Sequence, residues 1–172
     1  VPIKTEQRED GEMGRVDANS LYNVVKNFKW GNFKNEKVHY DETATSNIMT
    51  YRNTAGRAAE ALALSGQKQK ALEVLDLASK EIPVSKYNDP RSLASLVYAY
   101  LVAGEEQKAL KLADDLKKGI FTEYDYYNTL SLTEQKYLGK NMRQKPMEYS
   151  LVVAAVADGY KKIGQDKKAY AY

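Results

Sequence analysis

Cysteine is absent from the chain and histidine occurs once. That excludes disulfides, thiol nucleophiles and cysteine-based zinc clusters, and leaves only scattered carboxylates as metal ligands. None of these carboxylates has the spacing of a calcium-binding loop, so the sequence implies no cofactor and no metal. Long apolar runs are also lacking. The longest strictly apolar stretch, Leu151 to Ala157, falls far short of the roughly 20 residues that cross a bilayer. Nor does one sign of charge dominate. Twenty-six basic and twenty-three acidic side chains leave a net charge of +3. The signs alternate along most of the chain, which suits a solvated face and argues against nucleic acid as a partner. The chain opens Val1-Pro2-Ile3-Lys4 with no initiator methionine and no leader pattern, and is expected to be a piece of a longer polypeptide.

What the chain does have is a recurring turn. Gly66-Gln-Lys-Gln-Lys-Ala71, Gly104-Glu-Glu-Gln-Lys-Ala109 and Gly164-Gln-Asp-Lys-Lys-Ala169 each follow an apolar stretch of helical period. A glycine just past a helix end accepts the left-handed conformation of a Schellman stop, and an alanine five residues on lets the returning helix approach closely. Before each turn, four residues stand at offsets of 0, 3, 4 and 7: Ala55, Ala58, Ala59 and Leu62, then Leu93, Leu96, Val97 and Tyr100, then Val153, Val156, Ala157 and Tyr160. This is the frame of tetratricopeptide repeats. The predicted fold class is all-α: tetratricopeptide-like helical hairpin repeats in a right-handed superhelix, with an inserted helix and an extended N-terminal arm.

The spacing is irregular where that insertion is expected. Gly104 follows Gly66 by 38 residues and Gly164 follows Gly104 by 60, against a usual period of roughly 34. The excess falls between Lys118 and Lys145, where Thr122 and Asp125 read as a helix start and Tyr124, Tyr126, Tyr127, Leu130 and Tyr137 as apolar surface. One inserted helix or two short ones should lie there. Pro146 suits the first turn of the last long helix. The organisation expected is an arm with a short capping helix over 1–44 and a repeat domain over 45–172. Its hairpins span about 45–83, 91–118 and 146–172, with the insertion at about 119–145. The capping helix, about 18 to 29, begins at Asp17, and a long helix runs from about 45 to 64.

No constellation suggests catalysis. Asp41 and Glu42 adjoin one another next to His39, but paired glycosidase carboxylates face each other across roughly 5 to 9.5 Å, whereas sequence neighbours diverge. Helix capping explains both acids better. Gly11-Glu-Met-Gly14 lacks the lysine and hydroxyl residue of a phosphate loop. Fourteen tyrosines are more readily groove-filling residues than sugar platforms. Trp30 is expected to close the apolar end of the first hairpin. The frame puts Asn53, Glu60, Arg91, Tyr98, Asp158 and Lys161 on the concave face, a mixed polar set suited to holding a peptide or glycan.

Read in order, Pro2-Ile3-Lys4, Gly14-Arg15-Val16-Asp17, the Leu21-Tyr22 helix, Phe28-Lys29-Trp30-Gly31 and Tyr40-Asp41-Glu42-Thr43 with the helix after Asn47 resemble the soluble C-terminal region of a bacterial family of membrane proteins. The multi-spanning N-terminal half of that family is similar to protein O-mannosyltransferases. The likeness lies in motifs over roughly residues 1 to 60 and in the hairpin pattern beyond. It implies an extracytoplasmic, periplasmic tail of an inner-membrane protein, tethered through an absent N-terminal half that carries the glycosyl-transfer chemistry. It transfers no catalytic residue to this chain. The function expected is a non-catalytic interaction or regulatory tail with a protein or peptide partner, a glycan-acceptor polypeptide among them. The alternatives are a carbohydrate-binding module using tyrosines such as Tyr98 and Tyr127, and an autonomous hydrolase using Asp41 or Glu42.

Overall fold

The computed structural model describes residues 17–138 and 141–171. The expected arm over 1–16, including Gly11 and Gly14, lies outside them, as does Tyr172. The described residues are all-helical, with no strand among them.

Helix α1, Ala18–Asn27, starts at Asp17, whose carboxylate accepts from the amides of Asn19 and Ser20 at 3.1 Å each. Helix α2 spans Glu42–Leu64 and starts three residues before the expected position, because Asp41 is its N-cap and accepts from the Ala44 amide at 2.7 Å. Helix α3, Lys68–Glu81, ends just before Pro83. Helix α4, Pro90–Ala103, has Asp89 as its cap and Pro90 at the first helical position, where a missing N–H costs nothing.

Helix α5 corrects the expected start of the insertion. It runs from Glu106 to Thr129 without a break, so Thr122 and Asp125 lie inside it and start nothing. No proline interrupts this stretch, and its apolar stripe continues through Leu116, Ile120 and Tyr127, all buried. Two short helices follow, α6 (Leu132–Leu138) and α7 (Asn141–Glu148). Pro146 lies within α7 and not in the first turn of the last long helix. Its ring interrupts the backbone ladder, and at Tyr149 the chain passes into α8, Ser150–Lys162. Helix α9, Asp166–Ala171, ends the described chain.

The three turns share one geometry. Gly66, Gly104 and Gly164 have φ of +80°, +95° and +75°, and the next residue's amide reaches back to Leu62, Tyr100 and Tyr160 at 2.8 to 2.9 Å. These are Schellman stops, and each returns the following helix onto its predecessor, pairing α2 with α3, α4 with α5 and α8 with α9. Ala71 and Ala109, the small residues after two of the turns, are fully buried. Helix α4 lies between α2 and α8 and packs on both. Glycines allow this. A Cβ on Gly56 would stand 2.5 Å from Ser95 Oγ and 3.0 Å from the Ser95 backbone carbon, and one on Gly159 would stand 2.7 Å from Leu101 Cδ1. Ala55, Ala58, Ala59, Leu62, Leu93, Leu96 and Val97 form the centre of the core. A second core of Phe33, Ile48, Ile82 and Tyr87 joins the 28–41 segment to α2 and the end of α3. Trp30 packs against both.

Polar contacts pin successive helices together in a recurring pattern. The Tyr22 hydroxyl on α1 and the Lys26 ammonium both donate to Glu73 on α3, at 2.7 and 2.9 Å. Tyr100 on α4 and Lys108 on α5 both donate to Asp76 on α3, at 2.9 Å. Tyr160 on α8 and Lys168 on α9 both donate to Glu106 on α5, at 2.9 and 2.7 Å. In the last two trios the lysine lies eight residues after the tyrosine, across the turn glycine, and over its ring at 5.9 and 5.4 Å. The donors hold the Glu106 carboxyl below its ordinary value of 4.5, Lys168 first and Tyr160 second, and the Glu73 carboxyl below it as well, Lys26 first. A carboxyl lowered by folding contributes stability that is fully present above the unfolded value and is lost as pH falls through the lowered native value. Thermal melts should therefore drop progressively below about pH 4.5, and Glu106→Gln should blunt that drop while lowering the neutral-pH melting temperature.

Candidate partner-binding groove

A concavity lies where α2 and α4 begin. It has a volume of about 790 Å3, and three parts of the chain form it: the first half of α2, the 86–92 connection into α4, and the last turn of α7. Beneath it lies Arg52, with no exposed surface. Its Nη1 donates to the Tyr87 carbonyl at 2.8 Å and to Ser92 Oγ at 3.2 Å, and its Nη2 donates to the Ile82 carbonyl at 2.9 Å. Among the described residues no carboxylate touches it, and its Nε is buried without a partner. Burial pushes this guanidinium down to about 10, against the opposing pull of the Asp89 charge. It stays protonated at neutral pH, and it fixes the path of the chain from α3 to α4.

A second cation fixes the other edge. Lys86 Nζ donates to the carbonyls of Phe33, Asn35 and Val38 at 3.1, 2.6 and 2.7 Å. All three of its protons are engaged, and it lies 5.3 Å from the rings of both Tyr40 and Tyr87. Lys86 thereby ties the 28–41 segment to the connection. On the α7 side, Lys145 Nζ donates to Asn88 Oδ1 at 2.7 Å and to Glu123 at 2.9 Å. Arg91 Nη2 donates to Glu148 at 2.9 Å.

Of the residues expected on a concave face, Asn53 and Arg91 line this groove together. Glu60, Tyr98, Asp158 and Lys161 do not line it. Tyr98 is half-buried and packs against the core, and Asp158 and Lys161 are exposed and paired with each other at 3.7 Å along α8. Glu42 lines the groove and Asp41 caps α2. His39 is exposed. Tyr127 is 2 % exposed, so it offers no ring face to a sugar, whereas Tyr126 and Tyr137 are exposed. Among the described residues no three His, Asp or Glu side chains converge as metal ligands. No helix among them is long and apolar enough to cross a membrane.

Arg52, Lys86, Asn88, Lys145 and Glu148 escape the sequence reading. Two signals were present. Arg52 falls on the same stripe as Ile48, Ala55 and Ala59, where a charge must find internal partners, and Asp89-Pro90 is a helix-start pair. Comparison with protein-family models, with curated proteins and with solved structures finds no match.

Arg52→Leu removes the donors to the Ile82 and Tyr87 carbonyls, at about 1–3 kcal/mol for each acceptor left buried and unbonded. Chemical denaturation should show that loss. Arg52→Lys should recover only part of it, because an ammonium lacks the planar fork that spans the two carbonyls.

Proposed function

We propose that this chain is a tetratricopeptide-like docking module that performs no chemistry of its own and binds a polypeptide segment in the groove at the start of α2 and α4. The observation that carries this reading is the groove itself: an open, mixed polar and apolar concavity whose walls come from three separate elements and whose fixed cations hold the backbone in place. Rigid walls lower the ordering cost of binding. Thr45, Ser46, Thr50 and Asn53 along α2 supply hydrogen-bonding groups at helical spacing, which suits the backbone and polar side chains of an extended peptide. The recurring glycine turns and the stacking of α4 between α2 and α8 favour the repeat reading of the fold. Asp41 serves as a helix cap, and this favours binding over hydrolysis.

The resemblance of residues 1 to 60 gives this module a setting, as the periplasmic tail of an inner-membrane glycosyltransferase-like protein. There it would hold an acceptor polypeptide or a partner subunit near the membrane site and raise its local concentration. The coding sequence upstream of Val1 checks the setting, which requires many apolar spans there.

Titrating isotope-labelled protein with a random decapeptide pool tests the docking itself. Amide shifts should be confined to residues 42–53, 86–92 and 144–148, and Thr50→Trp, which fills the groove from an exposed position, should abolish them. Shifts elsewhere, or none, would defeat the reading.

A further inference from the structure

We propose that the peptide segment taken by this groove carries an acidic side chain, and that Glu148 occupies the place of that acid on Arg91 when the groove is empty. The inference rests on the docking reading and specifies its partner.

The charges around the groove differ in how fully they are used. Lys86 has given its three protons to backbone carbonyls, and Lys145 is shared between Asn88 and Glu123. Asp89 is engaged by the Ser92 amide at 2.7 Å. Arg91 is different. Its side chain is 70 % exposed, and its hydrogen bond is a single one from Nη2 to Glu148 at 2.9 Å. A guanidinium has five donors in a planar fork, and a carboxylate arriving face-on accepts two of them in parallel. The bond to Glu148 is therefore the weaker of two available arrangements. An exposed ion pair of this kind contributes only about 0–1 kcal/mol, so an incoming carboxylate displaces Glu148 at little cost.

Among the charged side chains lining the groove, Glu42, Asp89 and Glu148 balance Lys86, Arg91 and Lys145, and two further features add positive charge. Both α2 and α4 begin at the groove, and the N-terminal end of a helix carries partial positive charge. The buried Arg52 charge lies under the floor with no carboxylate in contact among the described residues. The Asn53 amide, one helix away, lines the same groove and makes no hydrogen bond among the described residues, so it is available to the peptide backbone beside the acid.

Two acetylated, amidated decapeptide pools serve as probes: one has a fixed central glutamate and the other a glutamine in its place. The glutamate pool should bind at least about threefold more tightly, as a charge-assisted bidentate pair requires, and should shift the Arg91 side-chain resonances. Glu148→Gln should tighten binding of the glutamate pool, because Arg91 is then unoccupied. Arg91→Gln, at an exposed position that leaves the fold intact by circular dichroism, should abolish the difference between the pools. Equal binding of the two pools at the groove would overturn the acidic preference and leave the docking reading standing. Absence of groove shifts with either pool would overturn both.

Discussion

The arrangement depends on how closely α4 approaches its two neighbours. Gly56 of α2 meets Ser95 of α4, and Gly159 of α8 meets Leu101 of α4. At both places a methyl group would intrude on atoms already at contact distance. A helix held on both sides buries nearly all of its surface, and ten of its fourteen residues are buried. The spacing of α4 from α2 and α8 is thus set by the absence of two side chains.

Close approach along the helices leaves their N-terminal ends to be fixed by other means. The connection from α3 to α4 contains Pro83, leads into Pro90 at the first position of α4 and has no regular backbone ladder, so its carbonyls need donors. Arg52 supplies them to Ile82 and Tyr87, while Lys86 of the connection itself donates to Phe33, Asn35 and Val38 of the 28–41 segment. Both are long cations whose heads take carbonyl oxygens, and among the described residues neither is in direct contact with a carboxylate. One consequence is a rigid floor for the groove.

Two of the tyrosine, carboxylate and lysine trios work at the other end of the helices, beside the turn glycines Gly104 and Gly164, and the third ties α1 to α3. They join α1 to α3, α3 to α4 and α5, and α5 to α8 and α9. While Tyr100 and Tyr160 are buried, the lysines and carboxylates of the trios are partly exposed, so the ion pairs individually contribute little. Their value is positional, because a hydroxyl and an ammonium converging on one carboxylate tolerate only a narrow range of helix offset.

The sequence by itself determined the elements and their turns. Glycine at three left-handed positions, an alanine behind each of them and apolar residues at offsets of 0, 3, 4 and 7 are local rules of backbone and period. Asp17 and Asp41 began helices because a carboxylate next to free amides stabilises them wherever the chain lies. The same local rules failed where nothing local was at stake. Thr122 and Asp125 resemble a helix start, yet α5 continues past them because Ile120 and Tyr127 gain burial by continuing. Asn53 and Arg91 came together through the stacking of α2 on α4, while Glu60, Tyr98, Asp158 and Lys161 followed other parts of the same faces. Lys145 and Glu148 entered the groove from a helix more than 50 residues away in sequence. The tertiary structure alone decided the groove, because its walls are set by how far apart packed helices lie and which loops their buried cations hold. Neither quantity is a property of any short stretch of chain.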